Sequence, residues 1–474
     1  MSLPTSFIED MKLVLPAGEL DDFIQSLTEG EQPTSIRVNA DKVGTKTLFG
    51  CPTTPVKWCK TGFYLETRPQ FTLDPMLHAG AYYVQEASSQ FITHVIGHLL
   101  HLDQTADTLK NGSGLVLDLC ASPGGKSTAA LSALPQGTML VSNEIDRKRA
   151  RILAENIQKW GNPNVCVTGN APADFRNLKE TFDLIITDVP CSGEGMFRKD
   201  AGSIAEWTPA KVHECATLQK QIVSDIWPTL KAGGYLIYST CTFNIHEDEE
   251  NVQYIHDQLG GEIIPIPIEK VWNIHPAITG SFAPDIHADS ACRFMPHYTQ
   301  GEGLFMALIH KPLNQKSISK ESSRNKETST NSKTDKSLLK LLEWINQPCT
   351  LKTMQDGSLT AIPQPMEAIY EALVRNRLYL LSAGVELGIQ KGKDIQPAHA
   401  LALSNALNRN IFPETELDLE TTLNYLRREA IVLSPEIPRG YVLLTYQHQP
   451  IGFVKNIGNR CNSLYPTEWR IRNL

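Results

Sequence analysis

The sequence predicts an α/β protein whose main domain is a parallel sheet with helices on both faces. Short apolar runs alternate with helical patterns from about residue 114 to residue 311, which is typical of such sheets. A polar stretch, KPLNQKSISKESSRNKETSTNSKTDKS, is nearly free of apolar residues and predicts a disordered linker. We therefore divide the chain into a mixed N-terminal segment (1–105), the main domain (106–311), a linker (312–336) and a C-terminal domain (337–474).

The elements follow from local patterns. The predicted strands are GLVLDLC, GTMLVSNEI, NVCVTGN, FDLIITDVP, GGYLIYSTC and GLFMALIHK, the last closing the main domain. Its predicted helices are STAALSAL, DRKRARILAENIQKW and roughly residues 210–230. The second helix starts at Asp146 and ends at Gly161, both typical of helix termini. Beyond the linker, SLLKLLEWI and MEAIYEALVRNRLYLLSAG predict helices, and GYVLLTYQHQPIGFVKNIGNRCNSLYPTEWRIR predicts short strands that form a small β-barrel.

Composition excludes several classes of protein. No apolar run approaches the 18 residues of a membrane span, and the first residues lack the pattern of a signal peptide, so we expect a cytoplasmic protein. Ten scattered cysteines without a CxxC pair predict neither a disulfide framework nor a metal site. The net charge of −8 argues against non-specific nucleic-acid binding. Residues 439–474, however, carry five basic residues against one acid, so an RNA contact would be local.

Five chemically active residues fall at the carboxyl ends of predicted strands. They are Cys120, Glu144, Asp188, Cys191 and Cys241. Because ligands of parallel α/β sheets bind outside these strand ends, we expect the five side chains to share one site.

The stretch LDLCASPGGKSTAA predicts a strand, a glycine turn and a helix. A Walker A loop needs glycine at position 120, where this chain has Cys120, and GxGxxG is absent. A nucleoside ligand without phosphates remains. Gly124 and Gly125 allow close backbone approach, the helix start near Lys126 favours a carboxylate, and Glu144 suits ribose hydroxyls. S-adenosylmethionine has these features; the alternative is a tight turn beside a surface acid.

The stretch DVPC, residues 188–191, suggests the acceptor. Amino-group methyltransferases carry two prolines and an aromatic here, whereas this chain has Val189 and Cys191. A thiolate that adds to carbon 6 of a pyrimidine makes carbon 5 nucleophilic; Asp188 is placed to stabilise the adduct, and its release needs a second acid–base group. Chemistry alone does not decide which cysteine attacks. The alternative is that the cysteines are only small buried hydrophobic residues, and we prefer this alternative for Cys120 and Cys166. The acids HEDEE that follow Cys241 predict an ordinary acidic helix start.

These motifs together resemble one family. DLCASPGGKS, NEID, DVPCSGEGMFRKD and YSTCTF are similar to motifs of the RNA (cytosine-5)-methyltransferases of the Nol/Nop/Sun family. PTSIRVN, YYVQEASS and RFMPHYTQGEGLFMA resemble further elements of that family, so the resemblance covers residues 30–311. The C-terminal barrel resembles a PUA-like domain. The resemblance implies a Rossmann-like class I methyltransferase domain.

The resemblance also implies residue roles. Cys241 would be the nucleophile and Cys191 would assist release. At a position where the family often has aspartate, this chain has Asn170. Its amide oxygen would accept a hydrogen bond from the adenine amino group. The residues implied to bind S-adenosyl-L-methionine are Cys120, Ala121, Ser122, Pro123, Gly124, Gly125, Lys126, Glu144, Asn170 and Asp188.

The expected function is methylation of carbon 5 of a cytidine in ribosomal RNA, by a monomer, with 16S RNA or the small subunit preferred as the partner. Transfer RNA is the nearest alternative substrate. A non-catalytic RNA-binding assembly factor and a small-molecule methyltransferase are alternatives of other classes. We expect the C-terminal domain to set RNA affinity and to leave the cofactor site unaffected.

Overall fold

The computed structural model describes residues 3–43, 53–313 and 338–472. The predicted disordered linker therefore lies, from residue 314 onward, outside the described residues. Among the described helices, none combines the length and the apolar character needed to cross a membrane.

The N-terminal segment is a small α/β unit. Its antiparallel sheet has the order β2-β3-β1-β4. The strands are β1 Thr34–Val38, β2 Thr53–Pro55, β3 Gly62–Leu65 and β4 Tyr82–Val84. The helices are α1 Thr5–Val14, α2 Leu20–Thr28, α3 Ala40–Val43, α4 Pro75–His78, α5 Ile92–His101 and α6 Asp107–Lys110. Val95 and Leu99 of α5 share one hydrophobic core with the main domain, so the segment is packed onto that domain.

The main domain contains the predicted parallel sheet. Its strands are β5 Leu115–Asp118, β6 Met139–Asn143, β7 Val165–Thr168, β8 Phe182–Asp188, β9 Leu230–Thr240, β10 Glu262–Ile264, β11 His275–Pro276, β12 Ala291–Phe294 and β13 Leu304–His310. The five strands β5 to β9 are parallel in the order β7-β6-β5-β8-β9, which confirms the predicted fold class. The predicted final strand of the domain is confirmed as β13. It runs antiparallel to β9, and β12 and β11 continue the sheet beyond it.

Helices cover both faces of this sheet. They are α7 Gly125–Ala133, α8 Arg147–Trp160, α9 Ala201–Glu206, α10 Pro209–Ile226 and α11 Glu249–Leu259. One face packs residues of α5, α7 and α8, and the other packs residues of α10 and α11. As predicted, Asp146 caps α8 by accepting from the backbone N–H groups of Lys148 and Arg149, and Gly161 ends it with a left-handed φ of 86°.

The C-terminal domain contains two four-stranded sheets, β14-β15-β17-β18 and β19-β20-β21-β22. The strands are β14 Cys349–Thr353, β15 Ser358–Pro363, β16 Leu380–Ala383, β17 Val385–Lys391, β18 Asp394–Pro397, β19 Glu414–Glu416, β20 Gly440–Tyr446, β21 Gln449–Asn456 and β22 Cys461–Ser463. The helices are α12 Glu367–Arg375, α13 His399–Leu403 and α14 Leu419–Leu426. The predicted SLLKLLEWI helix is a 3-10 helix at Leu338–Trp344.

The long helix predicted from residue 366 to residue 384 is confirmed in its first part and wrong in its second part. The helix ends at Arg375, Arg377 takes a left-handed φ of 57°, and Leu380–Ala383 forms β16. This strand adds antiparallel to the edge strand β7 of the main sheet. Residues 380–383 form a strand in spite of their helical periodicity, because the open edge of the main sheet offers backbone hydrogen-bond partners to β16.

The C-terminal domain therefore belongs partly to the main sheet. Ile362, Met366 and Leu373 also lie in the hydrophobic core beneath α10 and α11. The expectation that this domain leaves the cofactor site unaffected stays a prediction, although β16 extends the sheet whose strand ends carry the predicted site residues.

Candidate active site

The predicted site residues meet at the carboxyl ends of the parallel strands. Cys120 follows β5, Glu144 follows β6 and Asn170 follows β7. Asp188 ends β8, with Cys191 three residues later, and Cys241 directly follows β9. Since β8 and β9 are neighbours in register, with Asp188 opposite Ser239, the two cysteine-bearing ends lie side by side.

The glycine turn leads directly into α7. Gly124 takes a left-handed φ of 108°, and α7 begins at Gly125, so no side chain caps this helix. Its first backbone N–H groups are free for a carboxylate ligand. A Cβ at Gly125 would meet the Gln85 amide at 3.3 Å and the Tyr83 ring at 3.6 Å. The turn therefore fits the carboxylate end of the predicted nucleoside ligand.

Arg37 of the N-terminal segment stabilises this turn through hydrogen bonds to Gln85 and to α7. The buried guanidinium donates to Gln85 Oε1 at 2.8 Å, to Thr128 Oγ1 at 2.5 Å and to Ser132 Oγ at 2.9 Å. It also stacks over the Trp160 ring at 4.4 Å. Sequence reasoning missed this residue, although it lies within the PTSIRVN motif; the signal was an arginine at the centre of an apolar strand, which needs buried partners.

Two acids line the predicted nucleoside pocket. Glu144 is buried; its Oε1 accepts from the backbone N–H of Asp146 at 3.0 Å, and its Oε2 lies 3.5 Å from Arg149 Nη1. Asp118 accepts from Ser127 Oγ at 2.6 Å, and its other oxygen has no hydrogen-bond partner among the described residues. Burial raises the pKa of Asp118 to about 7.

Asn170 hydrogen-bonds the chain just before β16. Its amide oxygen accepts from the backbone N–H of Tyr379 at 2.8 Å, and its Nδ2 donates to the Tyr379 carbonyl at 3.1 Å. Because an amide oxygen can accept two hydrogen bonds, the role expected for Asn170 toward adenine stays a prediction.

Asp188 is fixed at both oxygens. Lys126 Nζ lies 2.8 Å from Oδ2, and Ser239 Oγ donates to Oδ1 at 2.9 Å. Burial alone would lower the pKa of Lys126, but the charge and hydrogen bond of Asp188, with Cys241 and Asp118 nearby, raise it above its ordinary value. Lys126 is thus a fixed positive charge between Asp188 and Cys241.

The two cysteines lie in direct contact. Cys191 Sγ and Cys241 Sγ are 3.0 Å apart, and both are free thiols. The hydrogen bond to Cys241 and burial, together with the nearby Cys241 and Glu247 charges, raise the pKa of Cys191 well above its ordinary value. Burial and the contact with Cys241 thus favour the protonated form of Cys191, and either sulfur of the pair can be the hydrogen-bond donor. Cys120 is also held as a thiol, because burial raises its pKa.

Two buried acids link the two cysteine loops, which follow β8 and β9 and carry Cys191 and Cys241, to each other. Glu194, after Cys191, accepts from the backbone N–H groups of Phe243 and Asn244 at 2.7 and 3.1 Å. Glu247, after Cys241, accepts from the backbone N–H of Ser192 at 3.0 Å. The Asn244 amide donates to both acids at 2.9 Å. Each loop thus carries the acid that fixes the backbone of the other.

The threonines beside Cys241 are tied to a third acid. Thr240 Oγ1 donates to Asp248 Oδ1 at 2.6 Å, and Thr242 Oγ1 lies 3.2 Å from the same oxygen. Arg293 forms ion pairs with both Asp248 and Glu249, and all three side chains are buried. The interpretation of HEDEE as an ordinary acidic helix start is wrong, because these acids are internal supports of the site.

Comparison with known proteins agrees with this architecture. Residues 106–310 match the model of the 16S rRNA methyltransferase RsmB/F family. Residues 3–87 match the N-terminal domain of 16S rRNA methyltransferase RsmF, and residues 412–471 match the methyltransferase RsmF PUA domain. The three matches follow one another along the chain and agree with the order of the three structural units.

Relatives extend over nearly the whole chain. The chain is similar to the ribosomal RNA small subunit methyltransferase F of Erwinia tasmaniensis, with 27% identity over 98% of this chain and 96% of that protein. The protein of the same description from Photobacterium profundum is 26% identical over 98% of this chain and 97% of its own length.

Solved structures share the fold. A methyltransferase homologue from Pyrococcus horikoshii has a TM-score of 0.52 and 25% identity, covering 65% of this chain and 100% of that chain. NSun6 from Pyrococcus horikoshii with SFG has a TM-score of 0.51 and 19% identity over 66% of this chain and 99% of that chain, and shows the fold alone. Fold, three consecutive domain matches and full-length relatives lead to one conclusion: residues 106–310 form a methyltransferase domain of the 16S rRNA methyltransferase RsmB/F family, followed and preceded by domains that match those of RsmF.

Proposed function

We propose that this protein transfers a methyl group from S-adenosylmethionine to carbon 5 of a cytidine in 16S ribosomal RNA, through a covalent bond between Cys241 and carbon 6. The observation that carries this proposal is the pair of free thiols, 3.0 Å apart, at the ends of neighbouring strands beside Asp188. We further propose that it acts as a monomer in the cytoplasm.

The methyl donor fits the pocket beside the cysteines. The uncapped start of α7 receives its carboxylate, and Glu144 receives its ribose hydroxyls. Residues 120–126 form the turn that surrounds it. S-adenosylmethionine supplies the methyl group, while the protein aligns the acceptor carbon with it.

Cys241 performs the attack. Lys126, which forms an ion pair with Asp188 at the same strand ends, supplies a positive charge to the proposed site. The thiolate electron pair forms the bond to carbon 6, and the electrons of the ring double bond move to carbon 5. Carbon 5 would then attack the methyl group, and the sulfonium C–S bond would break with its electron pair remaining on S-adenosylhomocysteine. Asp188 would accept a hydrogen bond from ring N3 once water has protonated that nitrogen in the adduct.

Cys191 serves the reverse step. Release requires that the proton on carbon 5 is removed, that the double bond re-forms and that the sulfur of Cys241 leaves with its electron pair. Cys191, whose sulfur touches that of Cys241, is placed to pass a proton to or from the reacting groups.

The C-terminal domain contributes RNA affinity. Arg439, Lys455, Arg460, Arg470 and Arg472 lie within or beside residues 412–471. Replacement of Arg460 and Arg470 by glutamine should weaken RNA binding and reduce its salt dependence, because two fewer phosphates would be neutralised. RNA affinity measured against salt concentration checks this. An unchanged slope would show that this basic surface does not contact the RNA.

Methyl transfer to defined RNA tests the proposed function. Wild-type protein, labelled S-adenosylmethionine and 16S RNA carrying tritium at cytidine carbon 5 should give methylated RNA with matching tritium release. Transfer RNA and assembled small subunits serve as parallel substrates. Greater activity on transfer RNA would overturn the substrate assignment. Binding of RNA without any transfer would favour a non-catalytic assembly factor.

The cofactor assignment is tested at Glu144. Glu144→Ala should weaken S-adenosylhomocysteine binding by about ten- to hundredfold, since a charged acceptor of a ribose hydrogen bond is worth roughly 1.5–3 kcal/mol. Calorimetry measures the change. Glu155→Ala is the control, because Glu155 is also ion-paired but lies on α8, with Lys159. An affinity of Glu144→Ala within twofold of wild type would contradict the role of Glu144.

A further inference from the structure

Tyr379 is held at the edge of the proposed cofactor pocket by the strand that the C-terminal domain adds to the main sheet. The backbone N–H of Gly169 donates to the Tyr379 carbonyl at 2.9 Å. The Asn170 amide bonds both the N–H and the carbonyl of Tyr379, and β16 begins at the next residue. These contacts fix the position of Tyr379 relative to the ends of β6 and β7.

The Tyr379 ring lies beside the backbone that leads from β6 and β7 into the pocket. A Cβ built on Gly169 would come within 3.0 Å of Tyr379 Cδ1 and 3.6 Å of the Glu144 carbonyl. Because Gly169 has no side chain, the ring occupies the space next to Glu144. The guanidinium of Arg147 lies over the ring at 5.6 Å, and 53% of the residue's surface remains exposed.

This exposure is unusual for an aromatic residue fixed so firmly by its backbone. Parallel α/β sheets bind their ligands outside the carboxyl ends of the strands. With adenosine at the ends of β6 and β7, the ribose would lie at Glu144 and the base would lie toward Asn170. The Asn170 amide bonds the Tyr379 backbone, and the Tyr379 ring lies against Gly169, so the ring stands beside this base position. An exposed aromatic ring offers a face or an edge to a purine.

We propose that Tyr379, a residue of the C-terminal domain, forms the adenine-binding wall of the cofactor site. This inference rests on the proposed use of S-adenosylmethionine. The methyltransferase domain alone would then have an incomplete base pocket, which β16 completes. A movement of the C-terminal domain on RNA would act on cofactor affinity through β16 and Tyr379.

Ligand pairs that differ only in the base test the proposal in the full-length protein. Tyr379→Ala should weaken the binding of S-adenosylhomocysteine about tenfold, and Tyr379→Phe should stay within twofold of wild type. S-ribosylhomocysteine, which lacks adenine, should bind wild type and Tyr379→Ala equally. Val432→Ala, at an exposed apolar residue of the same domain, is the control and should change neither affinity.

A second variant approaches the ring from the opposite side. Gly169→Ala should also weaken S-adenosylhomocysteine binding, because its methyl group would displace the Tyr379 ring. This effect should shrink when Tyr379 is already alanine, as expected for coupled residues. Equal affinities of wild type and Tyr379→Ala for S-adenosylhomocysteine would overturn this inference alone. Failure of the wild type to bind S-adenosylhomocysteine would overturn the proposed function as well.

Discussion

The two cysteine loops occupy equivalent places at the ends of β8 and β9, yet their surroundings differ. Cys191 follows a proline, touches Cys241 and has Glu247 nearby, and its pKa is raised well above the ordinary value. Cys241 lies between two threonines tied to Asp248, and the Lys126–Asp188 ion pair lies at the same strand ends. The protonated form is thus favoured for Cys191, and Cys241 has different polar surroundings.

This contrast indicates how one motif pair can carry two chemical roles. The geometry of the strand ends brings two thiols together, and different polar groups surround each thiol. The hydrogen bonds of Glu194 and Glu247 then fix the backbone of each loop to the other loop. The assignment of Cys241 as the nucleophile depends on this asymmetry, and the following changes break or sharpen it.

The largest effect should come from the attacking sulfur. Cys241→Ala should abolish methyl transfer, with a loss of at least about 10⁴-fold in rate, because removal of a nucleophile eliminates the covalent route. Incorporation of labelled methyl groups into RNA measures this loss. Cys215→Ala, at a buried cysteine on α10, is the control and should remain active. Retained transfer by Cys241→Ala would disprove the covalent mechanism assigned to Cys241.

The second effect separates release from attack. Cys191→Ala should permit one round of methyl transfer and should slow release about 10²- to 10⁴-fold, the usual contribution of an acid–base group. The enzyme should then accumulate joined to RNA in a complex that survives denaturing gel electrophoresis. The Cys191→Ala, Cys241→Ala double variant should form no such complex. Normal turnover by Cys191→Ala would remove Cys191 from the mechanism.

A third change tests the electrostatic half of the contrast. In a Cys241→Ala background, Glu247→Gln should lower the pKa of Cys191, because the Glu247 charge is one cause of its raised value. The rate of Cys191 alkylation by iodoacetamide should therefore rise at lower pH than in Cys241→Ala alone. Mass spectrometry of the Cys191 peptide follows this rate. A pH profile that stays in place or moves to higher pH would show that Glu247 does not act on this thiol.

The smallest expected effect concerns the loop of Cys241. Thr240→Val removes a buried donor to Asp248 and should lower the free energy of unfolding by roughly 1.5–3 kcal/mol, the cost of losing a hydrogen bond to a charged group. Urea unfolding measures the loss. Thr217→Val, whose hydroxyl bonds only its own helix among the described residues, is the control. Equal losses for the two variants would mean that the hydrogen bond to Asp248 stabilises the protein no more than a hydroxyl bond within a helix does.

The sequence predicted the residues of the site better than it predicted their supports. Cys191, Cys241 and Asp188 follow apolar runs whose direction is fixed by the βα alternation, so their convergence could be inferred. Glu194 and Glu247 could not, because an acid near a loop or at a helix start is ordinarily exposed. Only their partners, backbone N–H groups on the opposite loop, make them buried, and that pairing depends on the tertiary fold.

The C-terminal domain shows the same limit at a larger scale. Its late strands were predicted from glycine turns, since turn chemistry is local. The strand β16 was predicted as helix, because its partner β7 lies more than 200 residues earlier in the chain. The hydrogen bonds between Asn170 and Tyr379, which directly precedes β16, were missed for the same reason.

The central claim is that Cys241, and not Cys191, bonds to the base. The most direct measurement is mass spectrometry of the denatured RNA complex of Cys191→Ala after digestion of protein and RNA. The peptide that contains Cys241 should carry the mass of a methylated cytidine nucleotide. An adduct that forms instead with Cys241→Ala, on the peptide that contains Cys191, would reverse the two roles and contradict the account.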